Sequence, residues 1–323
     1  MARTSTDALP VAVAPEDHRL AFAGLGVATF GWASAFVVGK IVLGEMTPLA
    51  IATWRYAIAS LVLVPFALRT GAPSALRKAV SRSRAHAAGE MRRVMGHLAI
   101  MIVAGGVLYP WLFMGALQRT SATNTSLLIA LNPVMTILLA PLVGEPFERR
   151  RISGAALAFA GALVVISGGH LARIAALDLN AGDVLAVVAA ACWAGFNLAS
   201  RSVVQRLAPS VANCAVYIGG FAALFALAAR EDPVGQLVRA TPTAIGGIAA
   251  MALLSSVLAG QLFLVGVRAA GVGRAVVFVY LVPVITALLS CTLLGEPFTA
   301  AQAVGGTVVL GGLWLATSAA ASA

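Results

Sequence analysis

The segment LNPVMTILLAPLVGEPF, Leu131 to Phe147, returns about 150 residues later as LVPVITALLSCTLLGEPF, Leu281 to Phe298. A chain duplicated in this way folds as two related halves, each completing the other's core. Both copies lie in apolar runs long enough to cross a bilayer. Across the 323 residues, 60% are hydrophobic and 11% charged, with a mean hydropathy of +0.94, which excludes an ordinary soluble domain. A spanning helix needs roughly 20 apolar residues, so ten spans would use about 200. Barrel strands are excluded because the runs are too long and lack period-two alternation.

Apolar runs between charge and turn clusters predict an all-α polytopic membrane protein. Its ten transmembrane helices lie near 20–39, 47–68, 97–117, 122–143, 152–171, 183–200, 209–229, 243–266, 273–294 and 299–319. Residues 1–19 are polar and read as a disordered cytoplasmic tail. They lack the apolar core of a signal peptide, so the first span is expected to be an uncleaved anchor. Cys192, Cys214 and Cys291 fall inside apolar runs without paired spacing and read as small buried hydrophobes.

The net charge of +10 does not point to nucleic acid, because the basic residues sit between the apolar runs. With the N-terminus inside, 16 of the 22 Lys and Arg residues fall in inner segments or at the inner ends of spans, five in outer segments, and Arg55 within a span. That bias places both termini in the cytoplasm. Five spans per half require the halves to insert in opposite directions, and the flanking charges agree. The first GEPF continues Glu148-Arg149-Arg150-Arg151, whereas the second continues Thr299-Ala300-Ala301. The reading is therefore two inverted five-helix repeats, at 20–171 and 183–319, around a central cavity.

Further correspondences lie within the spans. Trp32 and Lys40 match Trp193 and Arg201 with the same spacing of eight, which puts each pair on one helical face. Pro133 and Thr136 match Pro283 and Thr286. A proline inside a span removes a backbone hydrogen bond and kinks the helix. Interrupted helices in corresponding places of two halves point to a transporter's binding site, so Pro133 and Pro283 read as hinges. Glu145 and Glu296, each following the glycine that ends a span, read as organisers of helix ends or gates at the interface. The proline-to-glutamate spacing is 12 in the first copy and 13 in the second.

This pattern resembles the EamA-like branch of the drug/metabolite transporter superfamily. The resemblance rests on Gly31-Trp32-Ala33-Ser34-Ala35-Phe36, on Thr47-Pro48-Leu49 followed by Arg55, and on the two Pro…Gly-Glu-Pro segments. It implies a ten-helix domain whose cavity is lined mainly by the first, third, fourth, sixth, eighth and ninth helices. It also implies export of amino acids, their derivatives or other small metabolites.

Candidate substrate contacts follow from residue chemistry. Arg55 has a planar fork suited to a carboxylate or phosphate, at an insertion cost of at least about 2.5–3.5 kcal/mol. The alternative is that it snorkels outward or pairs with Glu45. Asn132, Asn197, Gln261 and Tyr280 offer donors and acceptors to a polar cargo, or else hydrogen-bond between helices. Trp32, Tyr109 and Trp193 can form apolar cavity walls with cation–π capacity. Gly154, Gly161 and Gly168 repeat every seven residues, the signature of close helix packing.

No span carries Asp or Glu near its centre, and the four histidines lie in loops or at span edges. Neither a buried proton relay, a metal site nor a cofactor is expected, and there is no Walker A loop for ATP. The expected partners are a small-molecule substrate and the lipid bilayer, with no nucleic acid, in a monomer or homodimer of the bacterial inner membrane. The function expected is secondary transport by alternating access, with an intramembrane lipid- or prenyl-modifying enzyme as the alternative.

Overall fold

A computed structural model describes residues 15–69, 84–119, 125, 128–167, 170, 181–294 and 300–317. Among these residues there is no strand. The helical segments are α1 Pro15–Val42, α2 Pro48–Arg69, α3 84–119, α4 Leu131–Val143 and α5 Arg149–Ser167. They continue with α6 Ala181–Val204, α7 Pro209–Glu231, a short helix at Pro233–Arg239, α8 Pro242–Ala270, α9 272–294 and α10 Ala300–Thr317. Six stretches of these helices are long and apolar enough to cross a membrane, and Leu131–Val143, Val272–Thr286 and Ala303–Ala316 are shorter apolar stretches. The chain is a polytopic, all-helical membrane protein.

Local chemistry sets the ends. Pro48, Pro209 and Pro242 each open a helix, where the missing N–H is an orphan anyway. The sequence places the start of the first span near residue 20, but α1 begins at Pro15, followed by Glu16 and Asp17. A proline and two acids suit a helix N-terminus, so the helix runs into the polar stretch. Residues 1–14, Asn124, Gly168 and Glu296 lie outside the described residues.

The packing is paired. α5 packs on α10 and α2 on α7, while α1 packs on α8 and α9 as α6 packs on α3 and α4. Exchanging the first five helices with the last five leaves this pattern unchanged. Gly154 of α5 faces Gly312 and Ala316 of α10, and Gly161 faces Gly305 and Val309. Early residues of one helix meet late residues of the other, so these corresponding helices run antiparallel. A Cβ at Gly154 would lie 2.7 Å from Gly312 O, which is why small residues occupy this seam.

The third and eighth helices share a departure from α geometry. Met101–Leu108 and Met251–Leu258 are both π-helical, 150 residues apart, the same offset as Pro133 and Pro283. A π stretch shifts carbonyls out of their usual pairing and is frequent at functional sites. Here two tyrosines meet the shifted groups. Tyr56 Oη donates to Gly105 O at 3.1 Å, and Tyr217 Oη donates to Ser256 O at 2.6 Å.

Polar contacts gather at two ends of the bundle. At one end Thr47 Oγ1 donates to Glu231, Trp54 Nε1 to Pro233 O, and Thr241 N and Oγ1 to Glu45 at 2.8 and 2.7 Å. Glu45 thus serves the start of α8 and is not the partner of Arg55. At the other end lies Glu145, buried and not at an exposed interface. Its Oε1 accepts from Val272 N at 2.6 Å and its Oε2 from Gly273 N at 2.9 Å, closing the first turn of α9. Arg151 lies 3.2 Å from Oε2 and Arg201 3.7 Å from Oε1, so charge and hydrogen bonds offset the cost of burial. Gly271, at φ 87°, leaves room for the carboxylate, since a Cβ there would lie 2.6 Å from Glu145 Oε1.

Candidate functional site

Between the two sets of five helices lies a cavity with about 80 Å³ open to the centres of water molecules. By the usual measure of about 10–15 Å³ per water, that admits several. Its walls come from α1 to α4 and from α6 to α9. α5 and α10 line none of it among the described residues. Beyond the six helices that the resemblance implies, α2 and α7 contribute, and they bring much of the polar lining.

The wall is mostly aromatic. Trp32 and Trp193 meet edge to face with ring centroids 6.1 Å apart. Trp193 also stacks on Phe196 at 4.6 Å and contacts Tyr109 at 4.5 Å, while Trp32 contacts Phe263 at 5.3 Å. Such pairs contribute about 0.5–1.5 kcal/mol beyond area burial, enough to fix the rotamers of a cavity wall. Both tryptophans sit mid-helix on the inward faces of α1 and α6, a position they share by the internal repeat.

Arg55 lines the cavity at 5% exposure, with its Cζ 5.0 Å from the centre of the Tyr56 ring. It makes no ion pair among the described residues, and its Nε lacks a hydrogen-bond partner. Tyr56 and Tyr217 meet at 4.7 Å, and Asn213, one turn before Tyr217, is 2% exposed with Nδ2 unpartnered. Ser255, Ser256 and Gly260 of α8 complete this side. Among the described residues Arg55 is the one charged side chain lining the cavity.

The lining also includes Asn132 of α4. Asn197 Nδ2 donates to Asn132 Oδ1 at 2.9 Å and to Thr136 Oγ1 at 3.1 Å, so Asn197 positions Asn132 without lining the cavity itself. Pro283 lines the cavity and Pro133 is buried beside it. Each prolyl ring lies in the first turn of an α-helical stretch, and in α9 that stretch follows 3₁₀ turns at Val276–Tyr280. The interruption expected of each proline therefore lies just ahead of it.

Other predicted residues lie elsewhere. Tyr280 is fully buried and its ring contacts Phe159 of α5 at 6.1 Å, behind the cavity wall. Gln261 does not line the cavity, because Gly260 and Phe263 carry the inward face of α8. Lys40 Nζ donates to Leu117 O at 3.0 Å, at the end of α3. Sequence reasoning overlooked Tyr56, Tyr217 and Asn213. The tyrosines share the 161-residue offset of Trp32 and Trp193, which was available as a signal.

The EamA-like transporter family model matches twice, over residues 20–167 and 180–318. The chain belongs to that family. Curated relatives cover nearly the whole chain. An uncharacterized transporter, YyaM, of Bacillus subtilis (strain 168) is 27% identical over 91% of this chain and 92% of its own. A probable terminal-alkyne amino-acid exporter of Streptantibioticus cattleyicolor is 27% identical over 88% and 89%. A probable amino-acid metabolite efflux pump of Salmonella typhimurium is 25% identical over 88% and 90%. A protein of known crystal structure shares the fold with a TM-score of 0.72, covering 94% of this chain and 98% of its own at 18% identity.

Proposed function

We propose that this EamA-like protein is a secondary transporter that exports a small amino-acid-related metabolite by alternating access. In this reading its ten helices form two inverted five-helix repeats. Both termini lie in the cytoplasm, the bilayer is the bacterial inner membrane, and the unit is a monomer or homodimer. The observation that carries the proposal is the cavity between corresponding helices, where Trp32 meets Trp193 and Tyr56 meets Tyr217. Related halves that meet at such a site can rock about it and open it to either face. The π-helical stretches and the paired prolines supply deformable places in corresponding helices.

Within the cavity Arg55 binds the cargo's acidic group, Trp32, Tyr109 and Trp193 hold its body, and Asn132, braced by Asn197, orients it. Pro133 and Pro283 act as hinges, and Glu145 holds the start of α9 as part of a gate. Intramembrane catalysis has less support, since Ser255 and Ser256 have no His, Lys or carboxylate beside them among the residues lining the cavity. The test is a reconstituted-vesicle screen across amino acids, nucleobases, organic acids and cationic drugs. Saturable movement of at least one amino-acid-related compound is expected. Movement of none by folded protein would overturn the reading.

A further inference from the structure

The cavity's chemistry is lopsided. The two buried polar atoms of its lining that lack a partner, Arg55 Nε and Asn213 Nδ2, are both donors. Among the described residues no Asp, Glu, His or Lys lines it to supply a compensating anion or a proton acceptor. A guanidinium stays protonated under all ordinary conditions, and a buried charge without a partner is costly. Among the described residues the cavity lining is therefore one negative charge short.

The two donors belong to one arc. Arg55 lies over Tyr56, Tyr56 meets Tyr217, and a Cβ placed at Gly260 would touch both Tyr217 and Asn213. The same cavity is lined by Trp32, Trp193 and Tyr109, which offer flat apolar faces. We infer that the site takes an aromatic carboxylate that carries no free α-ammonium group, such as a deaminated or N-acylated amino acid, in preference to the amino acid itself. The carboxylate accepts from Arg55 and Asn213, and the ring lies against the tryptophans. An α-ammonium would bring a second cation into the cavity beside Arg55, with no carboxylate there to offset it. This inference rests on the central cavity being the cargo site.

The test is calorimetric titration of the purified full-length protein with 3-phenylpropanoate, L-phenylalanine, 3-phenylpropylamine and butanoate, which need not be transported to be read. 3-Phenylpropanoate is expected to bind at least tenfold more tightly than each of the other three. Arg55→Gln should bring the phenyl compounds within about threefold of one another. Asn213→Leu, a second variant in case the first misfolds, should weaken 3-phenylpropanoate severalfold and leave the amine unchanged. Equal or tighter binding of L-phenylalanine, binding of none of the four, or an unchanged preference in folded Arg55→Gln would overturn the inference. Vesicles that accumulate none of them while the binding order holds would count against transport and leave the class of ligand standing.

Discussion

The two halves of this chain agree at some cavity positions and disagree at others. Trp32 and Trp193, Tyr56 and Tyr217, Phe113 and Phe263, and Pro133 and Pro283 are matched pairs. Arg55 corresponds in the repeat to Val216, Asn213 to Ala52, and Asn132 to Val282. Matched residues build walls, latches and bends, which both halves need equally. Unmatched residues carry the charge and the amides. A cargo has no twofold symmetry, so orienting it requires polar groups that only one half supplies.

Changes at matched or scaffold positions should therefore cost folding, and the largest cost is expected at Glu145. Glu145→Ala leaves the Val272 and Gly273 N–H groups without an acceptor and Arg151 with Glu148 as its remaining carboxylate, an expected loss of about 3–5 kcal/mol. It reads as a large drop in detergent-solution melting temperature, and an unchanged melt would show that the cluster is ornamental. Next is the seam of α5 and α10. Gly154→Val forces α10 outward and should cost about 1–3 kcal/mol, seen as lower folded yield and melting temperature.

The tyrosine latches give the sharpest symmetry test. Tyr56→Phe and Tyr217→Phe each remove one hydrogen bond to a π-helical stretch, an expected loss of about 0.5–1.5 kcal/mol apiece. Nearly equal melting shifts support equivalence of the halves, and a large inequality would break it. The smallest effect concerns pH. Hydrogen bonds from Thr241 hold the Glu45 carboxyl below its ordinary value of 4.5. The stabilisation is therefore complete above about pH 4.5 and lost as pH falls through the lowered value. Glu45→Gln should flatten that acid limb of a melting-temperature profile slightly.

Much of this was legible in the sequence. Apolar length located the helical segments, because burial in lipid leaves few other options for a backbone. Trp32, Trp193, Arg55, Asn132 and Pro283, which line the cavity, stand out in the sequence because an aromatic pair, a lone charge, an amide and a proline differ from the surrounding leucine and alanine. Glu145 looked like an interface residue because its partners, Val272 and Gly273, lie more than 120 residues away and act through backbone N–H groups. The π-helical stretches carry no residue signature. Tyr280 looked polar and inward, but the 3₁₀ turns at Val276–Tyr280 rotate the helix face so that its ring meets α5.

In the proposed mechanism one cavity serves both faces of the membrane. Its direct test replaces Cys192, Cys214 and Cys291, adds Ser255→Cys in the cavity wall, and probes sealed vesicles of each orientation with a membrane-impermeant maleimide. Labelling from either side, slowed in both cases by 3-phenylpropanoate, is expected. Labelling from one side only, whatever ligand is present, would contradict it.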